Sequence, residues 1–136
     1  MDNQEADVTT GAHRILVVDD DADVRSMVRT VLETEGYAVD VADDGFAALR
    51  AVEAKTPDCV VLDVMMPGMD GHAVLSRIRG GERSQMPVVM LTAAANDDQA
   101  WQAWTEGVDY FLAKPFDANE LLRYLEYLFQ RVPAVD

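Results

Sequence analysis

The sequence predicts a doubly wound α/β domain, a three-layer sandwich whose five-stranded parallel sheet has the order 2-1-3-4-5. Two observations predict this class. Short apolar runs of strand length recur along the chain, and segments with helical spacing of apolar residues lie between them. Strands that alternate with helices form parallel sheets with right-handed crossovers. The 136 residues suit one domain. We expect this domain at residues 14–131, between flexible tails at 1–13 and 132–136.

The strands are predicted from five apolar runs. They are ILVV (15–18), YAVDVA (37–42), CVVL (59–62), VVML (88–91) and YFL (110–112). The first, third and fourth runs are continuously apolar, which is typical of strands that are covered on both faces. The single cysteine, Cys59, is interpreted as a small buried hydrophobic residue in the third strand.

The helices are predicted from apolar spacing and from capping residues. The first precedes Gly36, the second carries Phe46, Leu49 and Val52, and the third precedes Gly80. A fourth carries Trp101 and Trp104. The last begins at a capping box, Asp117 to Glu120, and continues as a stripe of Leu121, Leu122, Leu125, Leu128 and Phe129. The complete order is that of a flavodoxin-like sandwich.

Charge excludes several classes of partner. The chain has 11 basic and 25 acidic residues, a formal net charge of -14. Such a surface repels phosphate backbones and anionic lipids, so we expect no direct binding to nucleic acid or membrane. No apolar run approaches the roughly 20 residues that span a bilayer, and the polar start MDNQEADVTT is unlike a signal peptide. We therefore expect a cytoplasmic protein.

Polar residues follow four of the five predicted strands. The first strand ends at Asp19-Asp20-Asp21, the third at Asp63, the fourth at Thr92, and Lys114 comes shortly after the fifth. Ligands of open parallel sheets bind beyond these carboxyl ends. Converging carboxylates repel one another unless a cation lies between them, and oxygen ligands without imidazole or thiolate favour Mg²⁺. A phosphoryl group bound there would meet the metal, the hydroxyl and the ammonium, with Asp63 as a carboxylate nucleophile.

Each of these residues also has a purely structural interpretation. Asp21 is expected to cap the first helix, and Asp63 alone could stabilise a turn before Pro67-Gly68. Thr92 could be an ordinary strand end and Lys114 a solvated turn. The combined pattern favours a binding site, because four unrelated structural roles would have to place complementary groups at adjacent strand ends.

Four segments resemble the receiver domain of two-component response regulators of the chemotaxis-regulator type. They are ILVVDDD (15–21), VVLDVMMPGMDG (60–71), VVMLTA (88–93) and GVDYFLAKPF (107–116). The resemblance implies that Asp63 is the phosphoacceptor for a phosphohistidine of a sensor histidine kinase or phosphotransfer protein. It also implies a Mg²⁺ ion held directly by Asp20, Asp63 and the main-chain carbonyl of Met65, and by Asp19 through water.

The resemblance further implies a switch. Lys114 would pair with the phosphoryl group after a cis bond into Pro115, and the Thr92 hydroxyl would move toward it. Phe111 would then turn inward while Tyr110 points the other way. The positions that tune phosphoryl lifetime are occupied by Met65 and Ala94, neither of which can activate water, so we expect slow self-dephosphorylation.

The resemblance also implies an output face on the fourth helix, fifth strand and last helix. Its candidate residues are Trp101, Trp104, Tyr124 and Tyr127, which could equally be partly buried packing residues. Partners would be an effector protein or a missing output domain, and phosphorylation could produce a homodimer. Two alternatives, an aspartate-nucleophile phosphatase and a flavin-binding module, are disfavoured by Met65 in place of a second carboxylate and by the acidic first loop. We therefore expect a signalling switch rather than a turnover enzyme.

Overall fold

A computed structural model of the chain describes residues 12–82, 85–92 and 106–131. In these ranges the elements in chain order are β1 (Arg14–Val18), α1 (Ala22–Thr34), β2 (Ala38–Ala42), α2 (Gly45–Ala54), β3 (Cys59–Asp63), α3 (Gly71–Arg79), β4 (Val88–Thr92), β5 (Tyr110–Ala113) and α4 (Ala118–Arg131). The predicted fourth helix, with Trp101 and Trp104, lies outside the described residues, so α4 denotes the C-terminal helix. Across the described ranges, none of the helices has the length and apolar character that a membrane crossing requires.

The sheet has the predicted order. Its strands are all parallel and follow one another as β2-β1-β3-β4-β5. Val17 of β1 lies between Val41 and Val61, and Asp63 at the end of β3 pairs with Leu91 of β4. This register places the carboxyl ends of β1, β3, β4 and β5 side by side, which confirms the predicted fold class.

Two hydrophobic cores hold helices on both faces of the sheet. Alternate strand residues such as Leu16 and Leu62 pack against α2 and α3, whereas Val17 and Val61 pack against α1 and α4. Every residue of β3 and β4 is buried. Each fully buried Val or Leu side chain contributes roughly 1.5–3 kcal/mol, so these central strands form a stable support for the residues at their ends. Cys59 is fully buried, and burial raises the pKa of its thiol, as expected for a structural cysteine.

Aspartates begin the helices next to the carboxyl edge of the sheet. Asp21 accepts hydrogen bonds from the N–H groups of Asp23 and Val24, which confirms its predicted capping role. Asp70 caps α3 by accepting from the N–H of Ala73. These caps satisfy N–H groups that a helix start leaves without partners. They fix α1 and α3 directly after the loops that carry the candidate site.

Contacts at the two ends of the domain add detail to the prediction. The His13 ring, at the end of the predicted N-terminal tail, stacks on Phe129 with 3.8 Å between centroids, and its carbonyl accepts from the N–H of Ala38. His13 therefore packs against α4. At the start of α4, Asp117 accepts from the N–H of Asn119, as a cap does. The Glu120 carboxylate accepts from a tyrosine hydroxyl instead of turning back to complete the capping box.

Candidate functional site

Asp63 ends the central strand β3 and is almost completely buried, with 3% of its surface exposed. Its Oδ1 accepts a hydrogen bond of 3.3 Å from the N–H of Met65, at the start of the following loop. Gly68 turns this loop with a φ of 81°. The loop returns so closely that a Cβ on Gly71 would overlap the Asp63 carbonyl oxygen. Glycine is therefore required at position 71 to seat α3 against the end of β3.

Asp19 and Lys114 lie beside Asp63. Asp19 has no exposed surface, and its Oδ2 accepts from Lys114 Nζ at 2.8 Å while its Oδ1 accepts from the N–H of Asp21 at 2.9 Å. The same Nζ lies 3.4 Å from Asp63 Oδ1. The peptide bond between Lys114 and Pro115 is cis, as the resemblance implied. One ammonium group therefore contacts carboxylates from two strands.

Thr92 completes this arrangement from β4. It is fully buried, and its carbonyl oxygen accepts from the N–H of Lys114 at 2.6 Å. The structure thus brings together Asp19, Asp63, Thr92 and Lys114, which the sequence placed at separate strand ends. The placement follows from the parallel register, because adjacent parallel strands end at the same edge.

Asp20 adds a third carboxylate to the cluster. Asp19, Asp20 and Asp63 each offer one carboxylate oxygen, and these three oxygens lie within 4.8 Å of one another. Asp20 is exposed whereas Asp19 and Asp63 are buried, so the cluster opens to solvent on the Asp20 side. We call these three residues and Lys114 the acidic edge. Its oxygen-only ligands are those that hard cations such as Mg²⁺ prefer.

Lys114 does not balance the charge of the acidic edge. Burial, followed by repulsion from Asp19, raises the pKa of Asp63 to about 7, although Lys114 and the N–H of Met65 act to lower it. Burial also disfavours the charged form of Lys114, but the hydrogen bond to Asp19 and the charges of Asp63 and Asp19 outweigh it, so the pKa of Lys114 is raised. The ammonium therefore stays charged, and the site retains an excess of negative charge that a bound cation would neutralise.

The predicted switch aromatic, Phe111, lies on β5 and is partly buried against the core shared by α2 and α3. Tyr110 points to the opposite face, as expected, and packs with α4. Its ring stacks on Tyr124 at 4.4 Å, and its hydroxyl donates to Glu120 at 3.1 Å. Tyr127 is 56% exposed on the same helix. Of the four candidate output residues, Tyr124 and Tyr127 are thus on α4, while Trp101 and Trp104 lie outside the described residues.

Sequence reasoning missed Arg25. Its Nη1 donates to the main-chain carbonyl of Asp19 at 2.7 Å, which joins α1 to the acidic edge. A basic residue in the first turn after an acidic loop was the available signal. The spacing alone does not give the rotation of the helix, so it could not show that Arg25 points back to the loop.

Comparisons with known proteins agree with this geometry. Residues 15–126 match the family described as response regulator receiver domain. The response regulator MprA of Mycobacterium tuberculosis is 41% identical over 123 residues, which cover 90% of this chain and 53% of MprA. The transcriptional regulatory protein ResD of Bacillus subtilis is 38% identical over 122 residues, which cover 90% of this chain and 50% of ResD. The chain spans about half the length of the curated relatives it matches.

Solved structures show the same fold. The chemotaxis protein CheY4 of Vibrio cholerae superposes with a TM-score of 0.80 at 31% identity, covering 85% of this chain and 98% of that one. The receiver domain of the Francisella response regulator 1452 gives a TM-score of 0.84 at 32% identity, with 88% and 98% coverage. The family match over residues 15–126 spans the strands that carry the acidic edge. The chain therefore belongs to the receiver domain family of two-component response regulators.

Proposed function

We propose that Asp63 is the phosphoacceptor of this receiver domain. A carboxylate oxygen of Asp63 attacks the phosphorus of a phosphohistidine, and the phosphorus–nitrogen bond breaks. Its electron pair stays on the donor imidazole, which takes a proton from solvent, and an aspartyl phosphate forms. The observation that carries this proposal is the position of Asp63, a buried carboxylate 3.4 Å from an ammonium in a cluster with excess negative charge.

The acidic edge fits a Mg²⁺ ion because its three carboxylates offer only oxygen and lack a matching positive charge. Asp20, Asp63 and the Met65 carbonyl would hold the ion directly, and Asp19 through water. When bound, the ion supplies positive charge that favours ionised Asp63 and neutralises phosphoryl oxygens. Asp19 also orients Lys114 through their 2.8 Å hydrogen bond.

Lys114 and Thr92 respond to the phosphoryl group. The Lys114 ammonium pairs with one phosphoryl oxygen, and the Thr92 hydroxyl donates to another. Because Thr92 is fully buried at the end of β4, its movement toward Asp63 changes the packing beneath it. Phe111, which is only partly buried, then turns into the core and alters the surface of β5 and α4. The domain thus acts as a switch between two surfaces and not as a turnover enzyme.

The partners follow from this role. A sensor histidine kinase or phosphotransfer protein in the cytoplasm donates the phosphoryl group. The match covers about half of each curated relative, which supports an output domain elsewhere in the natural protein. A separate effector protein is the other partner that such a switch could control. The output face includes Tyr124 and Tyr127 and the predicted Trp101 and Trp104. In the phosphorylated state this face binds the effector or a second phosphorylated copy of the domain.

Phosphorylation by a small phosphodonor tests this function directly. The protein is incubated with phosphoramidate and Mg²⁺, and its intact mass is followed over time. We expect wild type to gain one phosphoryl group and Asp63→Asn to gain none. Reduction of the product with borohydride, followed by peptide mapping, locates the modified aspartate.

Asp43→Asn is the matched control. Asp43 is exposed and follows the carboxyl end of β2, so this change removes a carboxylate at the same edge of the sheet without touching the acidic edge. Asp43→Asn should react as wild type does. A wild type that gains no mass, or an Asp63→Asn variant that reacts at the same rate, would refute the proposed function.

A further inference from the structure

Four contacts hold Asp19 in place. Its N–H donates to the Ala42 carbonyl of β2 at 3.2 Å, and its Oδ1 accepts from the N–H of Asp21. Its Oδ2 accepts from Lys114, and its carbonyl accepts from Arg25 Nη1 at 2.7 Å. Only the Arg25 contact comes from a side chain in the body of α1. It therefore ties the position of the loop to the position of that helix.

The Asp19 carbonyl belongs to the peptide group that leads into Asp20. Rotation of this peptide would move the Asp20 backbone and redirect its carboxylate. In the part of the chain that the structure describes, no hydrogen bond or ion pair holds the Asp20 carboxylate. The orientation of Asp20 therefore depends on its backbone. The hydrogen bond from Arg25 holds the Asp19 carbonyl, which is the part of this backbone that α1 contacts.

We propose that Arg25 is a positioning residue for the cation site, and this rests on the proposed function. Its guanidinium fixes the Asp19–Asp20 peptide so that the Asp20 carboxylate points toward Asp63. Arginine suits this role because its planar, permanently charged donor is pre-organised and partly buried here. Contacts that orient a metal ligand typically alter metal affinity by about 10- to 100-fold when they are removed.

The sign of the effect separates positioning from charge. Arg25 is a cation close to a cation site, so removing its charge alone would make Mg²⁺ bind more tightly. Removing its hydrogen bond releases the Asp20 backbone and makes Mg²⁺ bind more weakly. Weaker binding in a neutral variant therefore reports lost positioning, because the lost charge works in the opposite direction.

Arg29→Met is the matched control for Arg25→Met. Arg29 lies one turn later on α1, and its Nε pairs with Glu33 at 3.2 Å, away from the acidic edge. Both substitutions remove one positive charge from the same helix. Only Arg25→Met removes a hydrogen bond to the loop.

Calorimetric titration with Mg²⁺ alone tests the proposal, on wild type and both variants of the full chain. We expect Arg25→Met to raise the Kd for Mg²⁺ about tenfold, and Arg29→Met to leave it unchanged or slightly lower. Backbone amide resonances of Asp20 and Asp21 should also shift in Mg²⁺-free Arg25→Met and stay in place in Arg29→Met. Arg25→Gln, whose side chain is much shorter and neutral, gives the same comparison if Arg25→Met does not fold.

An unchanged or lower Kd in Arg25→Met, or in the Gln variant that replaces it, overturns the role of Arg25 while leaving the proposed function intact. A wild type that binds no Mg²⁺ overturns both. Equal weakening in Arg25→Met and Arg29→Met would also refute positioning, because it would show that the contact with Asp19 is irrelevant.

Discussion

The two ends of the sheet carry polar clusters of opposite character. At the amino end, Arg79 donates to the Gly107 carbonyl at 2.7 and 2.9 Å, to the Met86 carbonyl at 2.6 Å and to Asp109 at 3.0 Å. Asp109 also accepts from the N–H of Val88. We call these residues the arginine cluster. Among the described residues named here, the Arg79 cation contacts the Asp109 carboxylate and neutral carbonyls, whereas the acidic edge has three carboxylates and one ammonium.

The difference indicates what each cluster is for. In the arginine cluster the described carboxylate and carbonyls all accept from the Arg79 cation, and these bonds join the end of α3 to the residues that precede β4 and β5. The acidic edge keeps uncompensated charge in a partly buried place, which costs stability unless a ligand is bound. A complete cluster therefore stabilises the fold, and an incomplete one marks a binding site. Substitutions at the two ends should accordingly change stability in opposite directions.

The largest effect is expected at the arginine cluster. Arg79→Met removes the donor from two carbonyls and leaves Asp109 without its cation, so the free energy of unfolding should fall by about 2–3 kcal/mol. Urea denaturation measures this loss. Arg77→Met is the control, because Arg77 is exposed on the same helix and its loss should cost less than about 0.5 kcal/mol. Equal losses in the two variants would contradict the assignment of a structural role to the cluster.

At the acidic edge, Asp63→Asn should stabilise the Mg²⁺-free protein by about 1–2 kcal/mol at pH 8, because it removes a buried, repelled carboxylate. The full pKa shift would give more, but solvent reaches the edge beside Asp20 and reduces the effect. Thermal or urea unfolding of both proteins checks the direction. The exposed control Asp43→Asn should leave stability within about 0.5 kcal/mol of wild type.

The pH dependence of that difference follows from the pKa of Asp63, which is raised to about 7 from its ordinary value of 3.8. Between these two values the folded protein holds a proton that the unfolded chain has released. The stability of wild type therefore falls as pH rises through this window and levels off above it. Asp63→Asn lacks this term, so the gap should be small near pH 4 and full above pH 7. A gap that is independent of pH would argue against a raised pKa.

The sequence predicted the acidic edge more completely than the arginine cluster, for a physical reason. Asp19, Asp63 and Thr92 each end an apolar strand run, and parallel register alone brings such ends together. No residue has to reach across a helix. Lys114 directly follows β5, so the parallel register brings it to the same edge. The site could therefore be assembled from strand order without knowledge of any side-chain direction.

Arg79, Arg25 and the Tyr110–Tyr124 stack required more than strand order. Each depends on how a helix is rotated against the sheet, which many small packing contacts decide together. Glu120 shows the limit of prediction from local spacing. Its distance from Asp117 along the chain favours a capping box, but its carboxylate accepts a hydrogen bond from the Tyr110 hydroxyl instead. Local patterns predict what a side chain can bind, and tertiary placement decides which partner it meets.

Binding of Mg²⁺ should restore the stability that charge repulsion at the acidic edge removes. An ion that binds only the folded protein stabilises it by RT ln(1 + [L]/Kd), about 1.4 kcal/mol at ten times the Kd. Wild type should gain this amount in thermal unfolding with added Mg²⁺, and Arg79→Met should gain it too, from a lower baseline. Asp20→Asn should lose most of the gain, because Asp20 is the exposed ligand. A gain retained in Asp20→Asn would place the ion elsewhere.

The smallest effect concerns water at the acidic edge. Met65 is 56% exposed beside Asp63 and offers no hydrogen bond to an attacking water, which supports the expected slow loss of the phosphoryl group. Ala94, the other residue in that expectation, lies outside the described residues. Met65→Asn adds a polar side chain that can orient water, so dephosphorylation should be about fivefold faster, or about 1 kcal/mol in the barrier. Intact mass after donor removal gives the rate.

Met27→Asn is the control for that experiment, because Met27 is also exposed, at 41%, but lies on α1 and not in the loop that follows Asp63. The phosphoryl group on Met27→Asn should last as long as that on wild type. Acceleration in both variants would mean that polarity near the surface matters more than position. Acceleration in Met65→Asn alone would show that a polar side chain in the loop after Asp63 brings water to the acidic edge.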